Sequence, residues 1–316
     1  MPYVMKRTIT SCFAVVLFIL CSPSLLQAQK PVSFIYHQSL IFLRVKVNEK
    51  KNLLFLMDTG ANISSIDNNT CELLNLPVLS SDSIAGTAGI EAVTIRKTKI
   101  VQFGGHTEKN MKLVCRDLSR FVTPGHEKLA GILGTDFMRK YAITIDYNKK
   151  TVLFSKKKPT IRKEKVVAFD MSGGIPRFEA RFNDTLTTFV HFNSGVSLVY
   201  NPDIFVNVSH QQWSALKGLD KYLVPYTNMA GDGVGGRVQL PVVKISNIKF
   251  NGLEVVKPNI VVQPREGIFL AENAIGFFGN NLLEKYRKVT IDFFSNKIIM
   301  HNINSTVAMH TIKRRR

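Results

Sequence analysis

The chain repeats itself, and that repeat constrains its fold more than any other feature. From Leu43 to Ser64 it reads LRVKVNEKKNLLFLMDTGANIS, and from Phe178 to Val199 it reads FEARFNDTLTTFVHFNSGVSLV. With Asp58 set over Asn193 the two align without a gap. Leu43, Val45 and Val47 then fall on Phe178, Ala180 and Phe182, and Phe55 and Met57 fall on Val190 and Phe192. Alternating apolar residues, a polar turn, a second apolar run and a polar-Ser/Thr-Gly corner predict a β-hairpin whose second strand ends in a sharp loop. A second block repeats as well. Gly131-Ile132-Leu133-Gly134 precedes Tyr141 and Ile143-Thr144-Ile145-Asp146, while Gly276-Phe277-Phe278-Gly279 precedes Tyr286 and Val289-Thr290-Ile291-Asp292. Two matched blocks in the same order predict two copies of one β-rich unit, with a short helix after each Gly-apolar-apolar-Gly run.

The N-terminus is of another kind. Lys6 and Arg7, the apolar run Cys12–Cys21 and the small residue ending Leu26-Gln27-Ala28 follow the pattern of an export leader. The apolar run is shorter than the roughly 20 residues that cross a bilayer. Residues 1–28 are therefore read as a cleaved signal peptide, with a periplasmic or secreted product and no stable membrane insertion after cleavage. Residues 29–155 form the first lobe, 156–165 a basic linker carrying Pro159, and 166–316 the second lobe with a basic tail. Each lobe is long enough to bury a core of its own.

The formal net charge is +19. Its densest patches, Lys156-Lys157-Lys158 and Lys313-Arg314-Arg315-Arg316, carry no interleaved aromatic residues. They read as a solvated linker and tail, not as a nucleic-acid surface. Cys12 and Cys21 leave with the leader, and Cys71 and Cys115 remain. A disulfide and two buried thiols are both open, since pairing depends on geometry. No Cys/His spacing suits a metal, so neither a metal nor a cofactor is expected.

Asp58-Thr59-Gly60-Ala61, with its apolar lead-in Leu53–Met57, resembles the catalytic loop of the retropepsin and pepsin class of aspartic proteases. Ile132-Leu133-Gly134 resembles the apolar segment that packs beneath that loop in the family. The resemblance implies an all-β, two-lobed acid-protease fold with pseudo-twofold symmetry. It implies that Asp58 and Asn193 are the catalytic pair, that Thr59 and Ser194 brace their loops across the axis, and that Gly60 and Gly195 complete the corners. It also implies a hairpin flap per lobe, with Gly86, Thr87 and Gly89 as candidates in the first and Gly233 and Gly235 in the second. The tyrosine of pepsin-like flaps is absent from the first. The expected partner is a peptide or protein chain lying extended in a cleft, and the protein is expected to act as a monomer.

Position 193 departs from the family. Two close carboxylates share one proton; the ionised one deprotonates a water and the protonated one supports the developing oxyanion. An asparagine amide can donate that hydrogen bond but can neither take nor give a proton. The expectation is a weak aspartic-type endopeptidase with water activated by Asp58, or a pseudoprotease that binds peptides without cutting them. An exchange of lobes that brings two copies of Asp58 together is a third arrangement, opposed by the attached second lobe.

Overall fold

The computed structural model describes residues 30–197, 205–233, 236–250 and 253–301; the leader 1–28, the basic tail and Gly235 lie outside these residues. Each lobe is a ten-stranded sheet, and the strand order of one is repeated in the other. The predicted hairpins are Leu40–Val47 with Lys50–Met57, and Ile175–Phe182 with Leu186–Phe192. Alternation decides what they bury. Leu43, Val45, Val47, Phe55 and Met57 are in the core, as are their counterparts Phe178, Ala180, Phe182, Val190 and Phe192.

The Gly-apolar-apolar-Gly runs form short central strands, Gly131–Leu133 and Gly276–Phe278. Each runs parallel to the second strand of its hairpin, with Leu133 opposite Met57 and Phe278 opposite Phe192. Their other edges pair antiparallel with Ser65–Asp67 and Phe205–Val208. The hairpin strand, which leads into the polar corner, is thus fixed along an edge just before the chain turns. The expected short helices follow at Thr135–Met138 and Asn280–Leu283.

A third, six-stranded sheet is built by both lobes. Ala142–Asp146 pairs antiparallel with Lys288–Asp292, placing Thr144 opposite Thr290. The one-residue difference between the repeats is taken up at Arg287, which adopts φ 60° just before its strand. Val32–Ser33 and Lys165–Ala168 occupy matching outer positions of this sheet. Lys165, assigned by its charge to the linker, is therefore the first residue of a strand. Cys71 and Cys115 are joined by a disulfide with Cα atoms 6.5 Å apart, tying the helix Asn68–Leu73 to the strand Lys112–Arg116. No helix among the described residues is long and apolar enough to cross a membrane.

Candidate active site

Each polar corner is held from behind and folded upon itself. Asp58 N–H donates to the Leu133 carbonyl at 3.0 Å, and Asn193 N–H donates to the Phe278 carbonyl at 2.8 Å. The corner then closes locally: Gly60 N–H donates to Asp58 Oδ1 at 2.7 Å, and Gly195 N–H donates to Asn193 Oδ1 at 2.8 Å. Asp and Asn share the side-chain oxygen this turn requires. The second loop therefore keeps its shape with an amide in place of an acid.

The two corners are clasped across the pseudo-twofold axis by Thr59 and Ser194, which are fully buried. Thr59 N–H donates to Ser194 Oγ and Ser194 N–H donates to Thr59 Oγ1, both at 2.9 Å. The hydroxyls pass on their protons, Thr59 Oγ1 to the Phe192 carbonyl and Ser194 Oγ to the Met57 carbonyl, both at 2.8 Å. Each hydroxyl thereby donates once and accepts once in a region without solvent. Beside the clasp, a Cβ built on Gly60 would run into the Asn193 side chain, and one on Gly195 into the Asp58 carboxyl. Each functional side chain thus lies over the glycine of the opposite loop. These glycines are needed for that close approach.

A further layer supports the clasp. Asn280 Nδ2 donates to the Ser194 carbonyl at 3.0 Å and to the Ser39 carbonyl at 2.8 Å, linking the lobes. Its counterpart Thr135 donates through Oγ1 to the Gly174 carbonyl at 2.7 Å, also across the lobes. Ser64 Oγ accepts from Gly134 N–H at 2.9 Å and donates to Asp136 Oδ1 at 2.7 Å.

Burial raises the Asp58 carboxyl above the usual carboxylate range. The Gly60 and Gly195 amides, the positive charge of Arg116 and the Ala61 amide oppose that rise, in this order. No second carboxylate is among these causes. Asn193 commits Oδ1 to Gly195, and among the described residues its Nδ2 has no acceptor. The pair is thus one acid with a raised proton affinity beside one amide able to donate.

The flap candidates that are described lie at the ends of hairpins. Val78–Gly86 and Gly89–Lys97 form a hairpin with Thr87 and Ala88 at its tip, and Gly86 pairs with Gly89. Thr227–Gly233 and Gly236–Lys244 form its counterpart, with Gly233 paired to Gly236; Gly89 at φ 148° and Gly236 at φ 146° share one conformation. Two residues near the site were not among the sequence candidates. Gly267, at φ 51°, lies against the first flap tip, where a Cβ would fall on the Gly86 carbonyl oxygen. Arg116 ends the strand Lys112–Arg116, with Nη2 3.3 Å from the Glu91 carboxylate on the flap. Neither belongs to a repeated motif; pairing the strands of the two lobes is the operation that brings them out.

Among the described residues no cluster of three or more His, Cys, Asp or Glu side chains could hold a metal. Compared with known families, residues 43–137 match the family described as "Aspartyl protease". Among solved structures, the chain is similar to a retropepsin-like aspartic protease from Rickettsia conorii. The identity is 15%, the match covers 40% of this chain and 91% of that one, and the TM-score is 0.30. No curated protein matches.

Proposed function

We propose that this chain, whose residues 43–137 match the aspartyl protease family, is a retropepsin-like aspartyl protease that binds extended peptides in the cleft between its lobes and hydrolyses them slowly through Asp58. The observation that carries the reading is the complete clasp around an incomplete pair. Thr59 and Ser194 make all four reciprocal bonds, while Asn193 takes the place of an acid without disturbing its loop. Selection for folding alone does not require Asp58 to lie over Gly195.

In this reading Asp58, when ionised, accepts a proton from a water directed at the peptide carbonyl. Asn193 Nδ2 donates to the oxygen that becomes negative. The amide has no proton to surrender to the leaving amine, so the proton Asp58 took from the water must be returned there by Asp58 itself, which serves as base and then as acid without a second carboxyl to share the cycle. Turnover falls while binding is preserved. Carried to its limit, the same asymmetry gives a pseudoprotease that holds peptides uncut. The disulfide between Cys71 and Cys115 supports export to an oxidising compartment, as the leader-like residues 1–28 suggest. The lobe already paired to lobe supports action as a monomer.

Asn193→Asp tests the reading. Loss of general acid–base function typically costs about 10²–10⁴-fold, so the substitution should raise acid-favoured cleavage in a peptide-library digest by a factor in that range. Asp58→Asn in that background should remove the activity, and an aspartic-protease transition-state analogue should inhibit it. Robust cleavage by the unmodified chain that survives Asp58→Ala would refute the assignment.

A further inference from the structure

Arg116 is an unusual residue to find beside this site. Its side chain is only 8% exposed, yet among the described residues its one ion pair is the 3.3 Å approach to Glu91, whose side chain is 26% exposed. Nε is buried without an acceptor, and among the described residues none of the five guanidinium N–H groups makes a hydrogen bond. A buried guanidinium ordinarily satisfies its fork with a carboxylate or carbonyls. Here the fork is largely unused.

The fold itself does not require a cation there. Matching the lobes through their strand pairing sets Val114 over Val261 and Arg116 over Gln263. Gln263 is a neutral amide, 3% exposed, whose Nε2 donates to Asn207 Oδ1 at 2.6 Å. The flap partner changes with it. Matching Gly89 to Gly236 sets Glu91 over Val238. One lobe thus carries Arg116 and Glu91 where the other carries Gln263 and Val238, within the same topology. The positive charge of Arg116 also acts on Asp58, opposing the rise of its carboxyl.

We propose that Arg116 is an anchor for a carboxylate of the bound peptide, giving the cleft a charged subsite on the first-lobe side only. The incoming carboxylate takes the bidentate place on the fork that Glu91 fills incompletely, and Glu91 moves aside with its flap strand. An overall charge of +19 favours the approach of such a ligand. The carboxylate comes from an acidic side chain or from the peptide's C-terminus. This inference rests on the peptide-binding reading above and adds the chemistry of the ligand to it.

The test is fluorescence anisotropy with the full chain and labelled peptides of one apolar sequence. In one set, a single Glu or Gln is moved through every position with the C-terminus amidated. In the other, the uncharged peptide carries a free or amidated C-terminus. Glu at one position, or the free terminus, should bind about 10-fold tighter or better than its neutral counterpart, the worth of a charge-assisted fork. Which set responds identifies the source. Arg116→Gln, which installs the second lobe's residue, should bring that ratio near one. If the single variant does not fold, Glu91→Val with Arg116→Gln reproduces the second lobe's neutral pair and serves in its place. Peptide binding without any charge preference, or a preference that survives the substitution, would overturn this proposal and leave the peptide-binding reading intact. Failure of every peptide to bind would overturn both.

Discussion

Thr144 and Thr290 meet hydroxyl to hydroxyl at 2.8 Å in the middle of the sheet that both lobes build. They are each other's counterparts in the repeat, so the contact sits on the pseudo-twofold axis. Thr290 also lies 2.7 Å from His301 Nε2. Replacing Thr144 with the near-isosteric Val removes one partner while leaving Thr290 the histidine. Thr144→Val should cost about 1 kcal/mol, measured by urea unfolding, with the peptide-binding affinity unchanged.

Gly267 offers a sharper test of the closed flap. Any side chain at this position meets the Gly86 carbonyl oxygen, so the first flap tip cannot rest where it does. Gly267→Ala should lift the hairpin Val78–Lys97 without unfolding either lobe. Amide exchange in that hairpin should quicken by about tenfold, the equivalent of roughly 1.4 kcal/mol of lost contact. Exchange elsewhere in the first lobe should stay as it was.

The repeats were legible because they are written in local pattern. Alternation at Leu43–Val47 and Phe178–Phe182 encodes which face is buried, and the corners Asp58-Thr59-Gly60 and Asn193-Ser194-Gly195 encode their own turns. The clasp could be expected from resemblance, although no spacing within either loop specifies its partners. Arg116 was not legible. Its neighbours Glu91 and Asp58 lie far away in sequence, and its counterpart Gln263 stands at a different separation from its own corner. One cause is the helix His210–Leu219, longer than the matching Asn68–Leu73. The equivalence appears only once strands have been paired. The disulfide was undecided for the same reason, since it depends on distance rather than order.

Asp58 should leave a mark on stability as a function of pH. Burial raises its carboxyl above the ordinary range, so the folded chain holds this proton more firmly than the unfolded chain does. The stabilising contribution is complete below the ordinary carboxylate value, near pH 4, and is lost as pH rises through the raised one. Asp58→Asn keeps the oxygen that Gly60 needs, as Asn193 does for Gly195, and carries no charge. The variant should therefore melt at a higher temperature than the unmodified chain at neutral pH. The two should converge in acid below about pH 4.

The disulfide closes a loop across a sequence separation of 44 residues in the first lobe. Cys71→Ser with Cys115→Ser should cost about 3–4 kcal/mol by the entropy of the loop it releases. The loss should appear as a lower midpoint in denaturant, and a reductant should lower the midpoint of the unmodified chain in the same direction.

The shared sheet has one more consequence. A two-fold assembly of separate identical subunits writes each substitution twice, once on either side of its axis. In this molecule both sides of the axis belong to one polypeptide, so a change can be made on one side alone. That freedom is what permits an acid at Asp58 where the other lobe has the amide of Asn193, and a cation at Arg116 where the other lobe has the neutral Gln263. On the peptide-binding reading proposed above, a ligand in the cleft would meet different chemistry at its two ends and so be held in one direction.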